Sequence, residues 1–268
     1  MTALNYINFF SFLITIGVNY LTSAGIGPFK SLSNISNTYN TTITPPNWAF
    51  GIWGLIYTGL LCFSVGQLFP KLNLQTTVKN ISFWFMLSCV ANMTWLLMFS
   101  LGRKETIYTS LFVIIVLLVS LYVIQMKAKI FNNKHFSWSK LLLVDIPFSL
   151  YLGWIIFATF LNLAIVIKIL MQNSNLNDYL LFIIFATMIT AVYLSNLYFN
   201  DNYVTQLVYI YALMSLIIKY SLNNSFYSKY LIGILIFAAL SLIVKIFLDN
   251  KLRKIEQNEK KNLYNPLV

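Results

Sequence analysis

Runs of about twenty apolar residues recur along the chain and are separated by short polar connectors. An α-helix of about 20 such residues crosses the hydrocarbon core of a bilayer. On that scale the pattern predicts eight membrane helices, over residues 5–24, 48–69, 80–100, 107–126, 143–170, 178–198, 203–219 and 229–248. The seventh is the shortest. The fifth is long enough to tilt, or to begin in the membrane interface ahead of Pro147. The expected fold class is all-α, a polytopic integral membrane helix bundle. Connectors are short except 25–47, a loop rich in Ser, Thr, Asn, Gly and Pro with no evident periodicity. Residues 1–24 lack the basic flank of a signal peptide, and Thr22-Ser23-Ala24-Gly25 is a poor cleavage site, so this segment reads as a retained helix.

Composition strengthens the membrane reading. The chain has 268 residues, 59% apolar and 9% charged, whereas a soluble domain carries about 25% charged residues. Too little charge is present to wet a soluble surface, and the lipid bilayer becomes the main partner. The net charge of +11 does not point to nucleic acid, because the basic residues are scattered over connectors. Twelve of the 18 Lys and Arg fall on the side holding the N-terminus, connectors 70–79, 127–142 and 199–202, and the C-terminus. The positive-inside rule then places both termini in the cytosol and the 25–47 loop outside or in a lumen. Two sequons in that loop, at Asn34 and Asn40, matter only if that face is glycosylated. Residues 249–268 read as a basic cytosolic tail, with Lys251, Arg253, Lys254, Lys260 and Lys261 either solvated or touching anionic headgroups.

Groups for catalysis or metal binding are sparse. The one histidine, His135, lies in a basic connector beside Lys134, with no Cys or carboxylate near it in sequence. Cys62 and Cys89 sit inside apolar runs and read as small buried hydrophobes. No metal site, no resident cofactor and no enzyme activity are expected. Asp145, at the head of the fifth segment, has two readings. An acid at membrane depth suggests a proton or cation site; an interfacial acid just ahead of Pro147 would instead support the first turn of a helix. Lys168, Lys219 and Lys245 lie near segment ends, where their ammoniums reach the headgroups.

Polar and aromatic residues within the apolar runs carry more. Trp53 and Tyr57 are four apart on the second segment, and Gly51 and Gly54 beside them would admit a close neighbour. Asn92 and Trp95 are three apart on the third. Tyr151, Trp154, Ala158 and Asn162 form one stripe on the fifth, at spacings of three, four and four. An Asn amide is costly against lipid tails, so Asn92 and Asn162 should face the interior and bring Trp95 and Trp154 with them. Such a lining suits a flat, largely apolar ligand with a few polar handles. Helix-to-helix glue is the other reading of the same residues. Trp48, Trp84 and Trp138 read as interfacial anchors.

These stripes carry a family resemblance. On the fifth segment, Tyr151-Leu152-Gly153-Trp154, Phe157-Ala158-Thr159 and Leu161-Asn162 resemble the last helix of the tryptophan-rich sensory protein/translocator protein family (TspO/MBR, the peripheral benzodiazepine receptor family). Asn92 to Trp95, Pro45-Pro46 with Trp48, Trp53 and Tyr57, and Gly27-Pro28 resemble that family's third, second and first helices, in order. Ile52 stands where the family often has Pro, and the interval from Trp48 to Trp53 is one residue short. The resemblance implies a five-helix core over 5–170 that closes under the 25–47 loop. It further implies a ligand such as a porphyrin, haem or a sterol, bound by Trp53, Tyr57, Asn92, Trp95, Tyr151, Trp154, Ala158 and Asn162. Residues 178–248 form a three-helix extension that short family members lack. Its Tyr193, Ser195-Asn196, Tyr198 and Tyr203-to-Tyr211 region matches no familiar motif. The expected function is a membrane receptor or carrier. A secondary transporter, or an assembly protein without a small ligand, are the alternatives, and homodimerisation is left open.

Overall fold

The computed structural model describes residues 2–131, 137–171, 178–221 and 226–264, with backbone alone at 253, 254 and 256–264. His135, Lys134 and the side chains of Arg253, Lys254, Lys260 and Lys261 lie outside that description. Eight helices are long and apolar enough to cross a membrane: α1 (Ala3–Ser23), α2 (Asn47–Gly66), α3 (Trp84–Leu101), α4 (Lys104–Ala128), α5 (Trp138–Leu170), α6 (Asp178–Asn200), α7 (Tyr203–Ser221) and α8 (Phe226–Tyr264). The described residues contain no strand. The all-α membrane bundle expected from the apolar pattern is the observed fold.

The packing divides the helices into two sets. Helices α1, α2, α5, α4 and α3 form a closed ring in which each touches the next and α3 returns to α1. Helices α6 and α7 lie on the outer side of α5, and α8 covers α6 and α7. Helix α5 is thus the shared wall. Of its most apolar 18-residue window 72% is buried, against 11% for α8. Polar residues fix the ring at the end away from the 25–47 loop: Asn5 Nδ2 donates to the Gln67 carbonyl at 2.9 Å, and Asn8 Nδ2 to Gln67 Oε1 at 3.2 Å.

Several local expectations are corrected. The 25–47 loop is not structureless; it contains a helix, Leu32–Thr38, whose Leu32, Ile35 and Ser36 point inward. Ser31 caps it, accepting from the Asn34 N–H at 3.3 Å. The third segment does not run unbroken from residue 80: a short helix, Gln75–Ile81, ends at Ser82, whose φ of 54° turns the chain into α3. The fifth segment begins ahead of Pro147, five residues earlier than the expected 143. It starts at Trp138 and passes through Leu141–Asp145 as a π-helical turn. Proline has no N–H for the helical ladder, and a widened turn just ahead of it absorbs the missing bond. Asp145 therefore lies inside a continuous helix, buried and paired with Lys140 at 2.5 Å, where it balances a cation at the membrane edge.

Gly51 and Gly54 admit no close neighbour; a Cβ at either would meet open space. Close approach occurs instead at Gly59, where a Cβ would come 3.0 Å from Pro147 of α5, and at Gly153, where it would come 2.8 Å from Val208 of α7. Cys89 is buried as expected, but Cys62 is exposed on the bundle's outer surface, where a thiol is as acceptable to lipid as a methyl group. Beyond residue 248 the chain continues as helix to Tyr264.

Candidate functional site

The eight singled-out side chains converge inside the ring of five helices, in two layers. The deeper layer is hydrogen-bonded. Asn92 Nδ2 on α3 donates to Tyr151 Oη on α5 at 2.6 Å and to Tyr57 Oη on α2 at 3.2 Å, tying three helices through one amide. Above it the rings of Tyr57, Trp53, Trp95 and Phe99 form a continuous stack, with centroids 5.3, 5.7 and 5.6 Å apart. Tyr151 meets Trp53 edge-on at 6.2 Å. Asn162 Oδ1 accepts from Trp95 Nε1 at 3.2 Å and from Ser110 Oγ of α4 at 3.0 Å. Both amides face inward, as the cost of an amide in lipid requires.

The upper layer surrounds a small cavity beneath the 25–47 loop. Trp53, Trp95, Trp154, Ala158 and Asn162 line it. So do residues that the pattern did not single out: Leu32 and Ser36 from the loop helix, Phe50 from the first turn of α2, Phe99 and Leu161. The inward spacing of Leu32, Ile35 and Ser36, at i, i+3 and i+4, spans a single turn of a seven-residue helix, too short to stand out in the sequence. Phe50 gives no signal either, because its position depends on meeting Trp154 edge-on at 6.1 Å. The cavity measures about 10 Å³, roughly the space of one water.

Several polar atoms here are unspent. Trp53 Nε1, Trp154 Nε1, Asn162 Nδ2 and Ser36 Oγ are buried, belong to side chains lining the cavity, and have no hydrogen-bond partner among the described residues. Each such atom costs about 1–3 kcal/mol when removed from water without compensation. All four belong to side chains that line the same space.

The loop is fastened over this space from two directions. Toward α3, the Lys30 N–H donates to the Ser100 carbonyl at 2.8 Å and Tyr39 Oη to the Gly102 carbonyl at 2.9 Å. Ile35 packs onto Gly102, where a Cβ would come within 2.4 Å and where φ is +65°, so glycine is required twice over. Toward the added helices, Lys219 Nζ of α7 donates to the Thr44 carbonyl at 2.7 Å and to Asn40 Oδ1 at 3.1 Å. Tyr220 Oη donates to the Thr42 carbonyl at 2.8 Å, and Lys168 Nζ of α5 bonds the Asn40 carbonyl. Tyr211 Oη reaches the Ala49 carbonyl at 3.0 Å while its ring meets Trp154. The added helices thus hold the cover of the core.

Fold and site together define a polytopic α-helical membrane protein whose five-helix core closes on an aromatic, amide-studded interior. The sequence model of the TSPO-like protein family matches residues 5–248, and the chain belongs to that family. The matched span takes in α6 and α7 and most of the membrane part of α8, so core and extension fall within one family match. Comparison with curated proteins and with solved structures gives no match.

Proposed function

We propose that the protein is a membrane receptor or carrier, not an enzyme, for a flat hydrophobic ligand with a few polar groups, a tetrapyrrole or a sterol, held between the helices of the core. One observation carries this reading: four unpartnered buried polar atoms, on Trp53, Trp154, Asn162 and Ser36, belong to side chains that line one aromatic space. Packing alone favours satisfied amides and indoles, as Asn92 shows. Indole N–H groups and an amide left unspent suit the acceptors of a ligand such as a porphyrin propionate or carbonyl. The indole faces supply the apolar contact.

At about 10 Å³ the space is far below the roughly 300 Å³ or more of a drug-sized site. The ligand therefore enters by displacing the Leu32–Thr38 helix and Phe50 and by parting the Trp53–Trp95 stack. In this account the loop is a lid that is shut. By the positive-inside rule it opens on the face opposite the cytosolic termini.

The test is a titration of the purified protein with protoporphyrin, following tryptophan quenching. The Trp95→Ala/Trp154→Ala protein is expected to bind at least about tenfold more weakly, the loss of one or two ring contacts. Unchanged quenching and affinity in that variant would remove the pocket assignment.

A further inference from the structure

A second and larger cavity, of about 380 Å³, lies where the lid meets the added helices. It sits between residues 40–42 of the loop, the last turns of α5, the first turns of α6 and the end of α7. All of these are helix ends on one face of the bundle, which is headgroup depth in a membrane. Ala164, Ile167, Leu181 and Phe185 give it an apolar wall, and Lys168, Asp178 and Tyr220 are among its polar lining.

The lining holds one cation, Lys168, and one carboxylate, Asp178, and a second cation, Lys219, lies behind Asn40. Lys168 and Lys219 both converge on Asn40, one on its carbonyl and the other on its side-chain oxygen. Their recorded partners are neutral oxygens, and the ion pairs among the described residues belong to Lys140 and Lys245. Asp178 lines the same cavity without pairing either ammonium. The adjoining connectors, residues 172–177 and 222–225, contain no acid in their sequence. An ammonium has three donors, and Lys168 uses one and Lys219 two on the loop, so both keep donor capacity. Two ammoniums to one carboxylate, Lys168 in the lining and Lys219 joined to it through Asn40, beside an apolar wall at headgroup depth match a molecule that is anionic at one end and aliphatic at the other.

We propose that this cavity binds a single-chain amphiphilic anion, a carboxylate or phosphate on an alkyl chain, with its charge on Lys168, supported by Lys219 behind Asn40, and its chain against Ile167, Leu181 and Phe185. The occupant would join loop, core and added helices at one point. This site is separate from the aromatic pocket and does not depend on it.

The experiment uses the full-length protein in neutral detergent with a nitroxide-labelled stearate as probe, its immobilised fraction read by electron paramagnetic resonance. Immobilisation is expected, reversed by oleate or by a lysophosphatidate and not by the neutral monoolein. Competition by oleate alone identifies a free fatty acid as the source, and competition by the lysophosphatidate alone a lipid phosphate. Lys168→Gln/Lys219→Gln should weaken probe binding about tenfold, the worth of charge-assisted bonds, and Lys168→Arg/Lys219→Arg should restore it. Ala164→Trp should abolish binding by filling the trough with both charges intact. The Trp95→Ala/Trp154→Ala protein should bind the probe like the wild type, which separates failure here from failure of the pocket assignment. Equal binding by the double glutamine variant, equal competition by monoolein, or competition by inorganic phosphate alone would overturn the proposal.

Discussion

The five-helix core and the three-helix extension use their polar residues differently. In the core, several buried polar atoms stay unpartnered, and those on Trp53, Trp154, Asn162 and Ser36 gather at one cavity. In the extension the buried polar groups are largely spent on tying helices together. Asn202 Nδ2 donates to Gln125 Oε1 at 2.9 Å and to Ser149 Oγ at 3.0 Å. Asn196 Nδ2 donates to Tyr122 Oη at 2.7 Å, and Tyr193 Oη bonds the Gly153 carbonyl. Gln206 Oε1 is the extension's unpartnered atom among those described. In a bilayer, where apolar burial drives little helix association, such bonds and close packing decide which helices stay together. The extension reads as a brace and a latch, and the core as the part with chemistry left to offer.

Four substitutions would break or sharpen that contrast. The largest effect is expected at the joint between the two regions. Gly153→Leu would drive a side chain into Val208 and push α7 off α5, costing about 1–3 kcal/mol; the thermal unfolding midpoint in detergent should fall. Asn162→Leu comes next. It leaves Trp95 Nε1 unpartnered and Ser110 Oγ with its bond to the Ile107 carbonyl, at about 1–3 kcal/mol, unless the removal of the unspent Asn162 Nδ2 offsets part of that loss.

Smaller is Tyr193→Phe in the extension, which deletes a spent hydroxyl and its bond to the Gly153 carbonyl, for about 1 kcal/mol of lost stability. Smallest in stability is Trp154→Phe in the core. It removes an N–H that already lacks a partner, so the midpoint should hold or rise while protoporphyrin affinity falls. Equal stability losses for Tyr193→Phe and Trp154→Phe would erase the distinction between spent and unspent groups.

Much of this was legible in the sequence, for a physical reason. A bilayer demands about 20 apolar residues per crossing, so all eight spans could be counted. An amide cannot face lipid, so Asn92 and Asn162 fixed the inward faces of α3 and α5 and carried Trp95 and Trp154 with them. What escaped depends on partners distant in sequence. Gly153 gave no hint that Val208 would sit against it, while Gly51 and Gly54, which looked like contact points, meet nothing. Tyr211 and Lys219 look like ordinary residues of an apolar segment, and their roles appear only when α7 lies beside the loop. The loop helix was missed because seven residues make too short a run for periodicity to stand out from a polar background.

The central claim is that the core pocket, and not the membrane-facing rings, meets the ligand. The protein has six tryptophans, so ¹⁵N-indole resonances read it directly. On addition of protoporphyrin the N–H signals of Trp53 and Trp154 should shift most and that of Trp95 less, since its N–H already bonds Asn162. Those of Trp48 and Trp138, which are 49% and 67% exposed, should stay in place. Shifts confined to Trp48 and Trp138, or equal at all six, would contradict the account.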